Sequence, residues 1–219
     1  MPIPDAWHLC VAFGPLGIYF LLLGLLNLSR RPFITTGARD AAALGVAVAG
    51  FVVIGPMELF MPLSALDRFG GYVWLLLLTF YALCLSLTVL TMRPRLVIYN
   101  TDLDSLRPIL SHVAASLDSE VRWAGDSLVM PRMGVRLNIE AHPAARNVQL
   151  VSAGMRQDYL GWRQLEFALA ESLREAPAGR SYYGATLAML GVLMLGCIAW
   201  WMASSPAEVA QGLDQMLHP

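Results

Sequence analysis

The sequence predicts an α-helical integral membrane protein with four transmembrane helices and a small two-layer α+β cytosolic domain inserted between the third and fourth. Three observations predict it. The chain is 57% hydrophobic, with mean hydropathy +0.55, which is too apolar for an ordinary soluble domain. Uncharged apolar runs of membrane length recur along it. The charges, in contrast, collect in one stretch: residues 93–180 hold eleven of the fifteen arginines and ten of the sixteen acidic residues. There is no lysine, and the net charge is −1. Opposite charges are interleaved with no basic tract, so a nucleic-acid partner is not expected.

The first span is expected at about 7–28. It carries no charge and is long enough for about 30 Å of hydrocarbon. It does not look like a secretory signal, because no positive region precedes it and Arg30 and Arg31 follow it. Those arginines, with Asp5 as the only charge ahead of the span, place the N-terminus outside. Gly14-Pro15 within the span predicts a kink.

Residues 29–40 read as a plain cytoplasmic loop, with Arg30, Arg31 and Arg39 against Asp40. The second span is expected at about 41–61. Ala41, Gly45 and Ala49 repeat every four residues and give a small-residue face, a seat for another helix or a second copy of the chain. Gly55-Pro56 interrupts this span just before Glu58. A short turn at Asp67-Arg68 and Gly70-Gly71 leads into the third span, at about 72–92, which ends at Arg93-Pro94-Arg95. The fourth span occupies 181–204 and returns outward. Trp7, Tyr72, Trp74, Trp200 and Trp201 then share one interface, and Tyr182 and Tyr183 mark the other. The tail, 205–219, opens with Ser205-Pro206-Ala207-Glu208, a capping box with a proline start, and predicts a short amphipathic helix on the outer surface. The chain is thereby expected in a bacterial inner membrane with both termini outside.

Inside 93–180 the periodicity changes. Leu96 to Tyr99 reads as a strand. Leu103, Leu106, Leu110, Val113 and Leu117 form a helical stripe after the caps Thr101 and Asp102. Val121 to Trp123 and Leu128 to Met130 flank Gly125-Asp126, a two-residue hairpin turn. Val135, Leu137 and Ile139 alternate with polar residues, and Val148 and Leu150 alternate again after His142-Pro143. A second helix, about 158–176, carries the stripe Trp162, Leu165, Leu169 and Leu173. One apolar stripe per helix and one apolar sheet face predict a two-layer sandwich. The three-residue link to the third span sets this domain against the bilayer, with Arg93, Arg95 and Arg180 near the headgroups.

No catalytic, cofactor or metal motif stands out. Cys10, Cys84 and Cys197 fall in apolar spans with no CxxC pair, and the histidines at 8, 112, 142 and 218 form no HExxH. Asp102, Asp104, Asp118, Glu120 and Asp126 cluster at helix and hairpin ends, where caps and a solvated turn account for them. Trp123 and Trp162 fit core positions. The candidate functional residues are Glu58 and His8. An intramembrane carboxylate is costly when it faces lipid, and His8 is expected at similar depth on the first span. Counted from Ala41, Glu58 lies about 25 Å from the cytoplasmic end of its helix. Two functional expectations follow. One is a membrane-anchored binding or assembly module whose domain meets a protein partner near the bilayer. The other is a membrane-embedded conduit or enzyme built on Glu58 and the Gly-Pro breaks. An exposed apolar patch on the domain would favour the first, and a polar cavity around Glu58 the second.

Overall fold

The computed structural model describes residues 6–57, 68–143, 146–176, 182–207 and 210. Its elements in chain order are α1 (Ala6–Leu28), β1 (Phe33–Thr36), α2 (Gly37–Val52, continued by a π-helical turn at Val53–Met57) and α3 (Tyr72–Thr91). There follow β2 (Arg95–Tyr99), α4 (Leu103–Leu117), β3 (Arg122–Ala124), β4 (Ser127–Met130), β5 (Val135–His142), β6 (Asn147–Ser152), α5 (Tyr159–Glu175) and α6 (Tyr182–Ser204). Four helices are long and apolar enough to cross a membrane: 7–28, 37–57, 72–91 and 182–204. The expected tail helix falls largely on 208–209 and 211–219, outside the described residues.

The described residues form two compact units. The helical unit draws on Met1–Leu22, Ala42–Leu90 and Leu187–Pro219, and the sheet unit on Leu23–Ala41 and Thr91–Thr186. In the helical unit, glycines set the spacing between helices, because a missing side chain lets backbones approach. A Cβ on Gly50 of α2 would run into the Val11 carbonyl of α1. One on Gly191 of α6 would lie 2.7 Å from the Leu21 nitrogen and 2.9 Å from the Gly17 oxygen of α1. Gly45 of α2 is covered by Leu85 of α3, and the Tyr81 hydroxyl donates to its carbonyl at 2.7 Å. The centre of the Ala41–Gly45–Ala49 face is therefore filled within the chain. Phe13 and Phe51 meet edge to face, with ring centroids 4.7 Å apart, beside the Gly50 contact.

The sheet unit contains one six-stranded antiparallel sheet, in the order β1-β2-β6-β5-β4-β3. Its two helices, α4 and α5, share a single core with one face of the sheet, as the stripes predict. Leu106, Leu110, Val113, Val135, Leu137, Ile139, Leu165 and Leu169 all lie in that core. Trp162 is buried with them, and Trp123 packs half-buried at the margin under the Arg107 guanidinium, 5.6 Å from the ring. Local chemistry sets the element ends. Asp102 caps α4 by accepting from the Ser105 N–H at 2.9 Å, and Asp158 caps α5 by accepting from the Leu160 N–H at 2.9 Å. Gly125 supplies the left-handed φ of +63° that the first position of the β3–β4 turn requires.

Two expectations are corrected. Residues 29–40 are not a plain loop: Phe33–Thr36 is the edge strand β1, paired from Phe33↔Tyr99 to Thr36↔Leu96. The segment 93–180 therefore supplies only five of the six strands. The second apolar helix starts at Gly37 rather than Ala41, because the Thr36 hydroxyl accepts from the Arg39 N–H at 3.3 Å and caps it. Arg39 and Asp40 thus belong to the first helical turn. Regular α-structure ends at Val52, and the turn Val53–Met57 around Pro56, which has no N–H to donate, is π-helical at the expected Gly55-Pro56 break; the expected end of the span at 61 lies outside the described residues.

Two consequences can be measured. Leu137 is fully buried, so Leu137→Ala should cost about 2–5 kcal/mol of sheet-unit stability in the full-length protein, read by denaturant titration. An unchanged midpoint would mean that Leu137 does not pack in the core. Residues 93–180 expressed alone leave the outer edge of β2 unpaired. That fragment should aggregate or melt lower than one with residues 29–40 fused to its N-terminus.

Candidate functional site

Among the described residues, three groups of side chains carry most of the polar contacts. The first fastens β1 and the start of α2 to the rest of the sheet unit. Tyr99, on β2, donates its hydroxyl to the Asp40 carboxylate at 2.5 Å. Arg39 meets Glu166 of α5 at 3.0 Å. Asn100 ends β2 with a left-handed φ of +59° and, fully buried, donates its amide to the Ser29 carbonyl at 2.6 Å. The Arg95 side chain lies directly over Gly37, where any Cβ would collide with it. The contacts link the strand after the third apolar helix to the segment between the first two.

The second group surrounds Asp118. The sequence reads this residue as part of a solvated acidic cluster, but the structure buries it. One carboxylate oxygen accepts from the Glu120 N–H at 2.8 Å, and the other from the N–H groups of Arg132 at 2.8 Å and Met133 at 3.4 Å. Arg132 in turn pairs with Glu120 at 3.0 Å. The carboxylate therefore joins the end of α4 to the turn between β4 and β5. Burial alone would raise its pKa. The three backbone N–H bonds and the nearby Arg132 charge outweigh burial and hold the pKa below the ordinary carboxylate range. Asp102 is also lowered, chiefly by its bonds from Ser105, with the charge of Arg146 assisting. Both carboxylates do structural work.

The third group is the face of the sheet opposite the core. Arg122, Arg136, Asn138 and Glu140 stand exposed on β3 and β5, and Ser127 donates to Asn138 at 2.7 Å. Strand alternation places them there: the Leu128↔Leu137 and Met130↔Val135 pairs point inward, so their neighbours point out. Along β3–β5 this surface is polar and of mixed charge, whereas on β2 the same face carries Val97 and Tyr99, both buried.

Of the residues singled out from sequence, Glu58 and Arg180 lie outside the described residues. His8 lines a cavity of about 240 Å³ with Ala12, Phe13, Phe51, Ile54 and Gly55. The structure therefore brings His8 to the start of the π-helical turn. Arg93 is exposed, and Arg95 is half-buried against Gly37. A further apolar groove of about 370 Å³ runs between α1 and α6, lined by Leu9, Phe13, Leu190, Met194 and Trp201 among others, with no converging polar groups. Among the described residues no three His, Cys, Asp or Glu side chains are grouped to hold a metal ion, and the three cysteines are separate thiols. Sequence reasoning missed Asp40, Tyr99 and Asn100 as fasteners, since their partners lie 59 and 71 residues away along the chain. Compared with protein-family models, curated proteins and solved structures, the chain finds no match.

The depressed pKa of Asp118 has a measurable consequence. Its folded-state value lies below that of the unfolded chain. The stabilisation is then fully present above about pH 4 and is lost as the pH falls through the folded value. Asp118→Asn should lower the thermal midpoint at neutral pH, because an amide cannot accept three N–H bonds as a carboxylate does. The gap between variant and wild type should narrow as the solution is acidified below pH 4. A gap independent of pH would show that the charge contributes nothing.

Proposed function

We propose that this chain is a membrane-anchored binding or assembly module. In this reading the four apolar helices hold the α+β unit at the cytosolic surface of a bacterial inner membrane, with both termini outside. The open face of the sheet meets a protein partner close to the bilayer. The observation that carries the reading is the open β3–β5 part of that face: Arg122, Arg136, Asn138 and Glu140 stand exposed there, while the other side of the sheet is filled by core. The β1–β2 ladder adds support, since hydrogen-bonded strands must lie on one side of any membrane that the helices cross. The three loop arginines and Arg93 and Arg95 then share a side, in keeping with the preference of cytoplasmic loops for positive charge. A domain fastened both by its covalent link and by a strand ladder suits a held platform better than a swinging arm.

A second reading, a membrane-embedded conduit or enzyme, is favoured by the position of His8 beside Gly55 at the π-helical turn that precedes Glu58 in the chain. Glu58→Gln separates the two. Loss of a proton- or ion-linked phenotype in a normally folded variant would favour the conduit. A variant equal to wild type would favour the anchored module.

The main reading is tested by a photoreactive side chain at Asn138 in living cells, which should give one discrete adduct that Arg122→Glu with Arg136→Glu abolishes. In parallel, Glu140→Cys should be labelled only after the cells are permeabilised. Labelling of Glu140→Cys from outside intact cells would overturn the topology, and absence of any adduct would overturn the binding role.

A further inference from the structure

The outward side of helix α5 carries opposite charges placed symmetrically about its middle. Gly161, Trp162, Leu165, Leu169 and Leu173 are buried. At 3.6 residues per turn, the direction opposite that stripe is the direction of Phe167. Leu160 lies on nearly the same line seven residues before it, and Arg174 seven residues after. Leu160 is 69% exposed and Phe167 62%. Arg163 borders this line on one side, four residues before Phe167, with Ala170 on the same side. Glu171 borders it on the other side, four residues after Phe167, with Gln164 on that side. Arg163, Gln164 and Glu171 are all exposed.

These charges are not used within the chain. Helical residues three or four apart can pair, but Arg163 and Glu171 are eight apart, about 12 Å along the axis. Glu166, three residues beyond Arg163, is engaged by Arg39 at 3.0 Å. Among the described residues neither Arg163 nor Glu171 forms an ion pair. The Arg163 guanidinium lies over the Phe167 ring, 5.6 Å from its centroid, which keeps its charge near the middle of the outward side.

A face on which a carboxylate stands as close to the apolar line as a guanidinium does not fit a surface of one sign. It fits its own copy. A two-fold contact sets each residue against the one equally far beyond the axis. With two antiparallel α5 helices and the axis at Phe167, the two Phe167 rings meet at the centre. Arg163 of each copy then comes level with Glu171 of the other, and Gln164 lies beside that same Glu171. Ala170 is small and leaves room for the Arg163 side chain. Leu160 comes level with Arg174, whose methylene stem covers it while the charged end stays in water. Moving the axis one turn toward either end sets Arg163 against Arg163, or Glu171 against Glu171. The charges therefore select one register and penalise its neighbours.

We infer that α5 is the contact helix of a homodimer, in which the outward sides of two α5 helices pack antiparallel about Phe167. Every residue involved lies within the sheet unit, and the dimer stands or falls separately from the protein partner proposed for the open sheet face. α5 packs on the core side of the sheet, so the pairing leaves the β3–β5 part of the open face uncovered in each copy. The dimer presents two such faces, and a partner that engages both gains avidity.

The test uses the full-length protein, with Cys10, Cys84 and Cys197 replaced, in its membrane and in detergent. Phe167→Cys should form a covalent dimer under mild oxidation, because packed helices bring their central positions within disulfide reach. Glu140→Cys, on the opposite face of the sheet, should not. In the Phe167→Cys background, Arg163→Glu or Glu171→Arg alone should cut the covalent dimer several-fold, and the two together should restore it. Restoration by the double reversal excludes misfolding as the cause of the loss. Sedimentation of the otherwise unaltered chain should give a dimer that follows the same pattern. A monomer at all concentrations with no covalent dimer at 167 would overturn the inference. So would a double reversal no better than either single one. A monomer whose residue-167 nitroxide collides with oxygen in preference to a nickel chelate would overturn it in favour of lipid, and a 167 adduct formed only with another protein in favour of a different partner.

Discussion

The four-residue ladder between β1 and β2 is the constraint on which the sheet unit depends. It closes a link between residues some sixty positions apart and covers an edge of β2 that would otherwise expose a row of unpaired amides. Once it forms, the neighbouring polar groups find their partners. Thr36 ends the strand and caps α2 in the same place. Asp40 meets Tyr99, Arg39 meets Glu166, and Asn100 meets Ser29. Each is a modest interaction in isolation, but together they remove the freedom of a segment that composition alone would describe as a solvated loop. Gly37 is part of the same arrangement, because only a residue without a side chain leaves room for Arg95.

Charge in this chain is used mainly for fastening. Asp118 is buried only because backbone N–H groups from two separate loops surround it, which offsets the cost of taking a carboxylate from water. Arg132 and Arg146 pair with acidic side chains at the ends of elements, and Arg39 with Glu166 in the middle of α5. Other charges stay at the surface, as on the β3–β5 part of the open sheet face and the exposed side of α5. The helical unit obeys different rules, with spacing set by Gly17, Gly45, Gly50 and Gly191 against neighbouring backbone and leucine side chains.

Much of the fold was legible in the sequence because the signals were local. Alternation at Val135, Leu137 and Ile139 states which face is buried, and the stripe from Leu106 to Val113 states it for α4. Asp102 and Asp158 announce their helices through hydrogen bonds that span only two or three residues. The candidate site was less legible. His8 lines a cavity with Ile54 and Gly55, while Glu58, the partner expected for it, lies outside the described residues.

Periodicity and hydropathy by themselves determined the four apolar helices, the α+β character of the polar segment, and the membership of its core, since each is a property of residues close together along the chain. Tertiary structure alone decided that Phe33-Ile34-Thr35-Thr36 is a strand, that α2 begins at Gly37, and that Asp118 is buried. Four residues carry too little pattern to declare a strand, and a carboxylate does not reveal its partners when they lie fourteen residues ahead. Such features exist only when a distant segment supplies the missing hydrogen bonds, and pairing across that distance is written in the assembled sheet rather than in either segment.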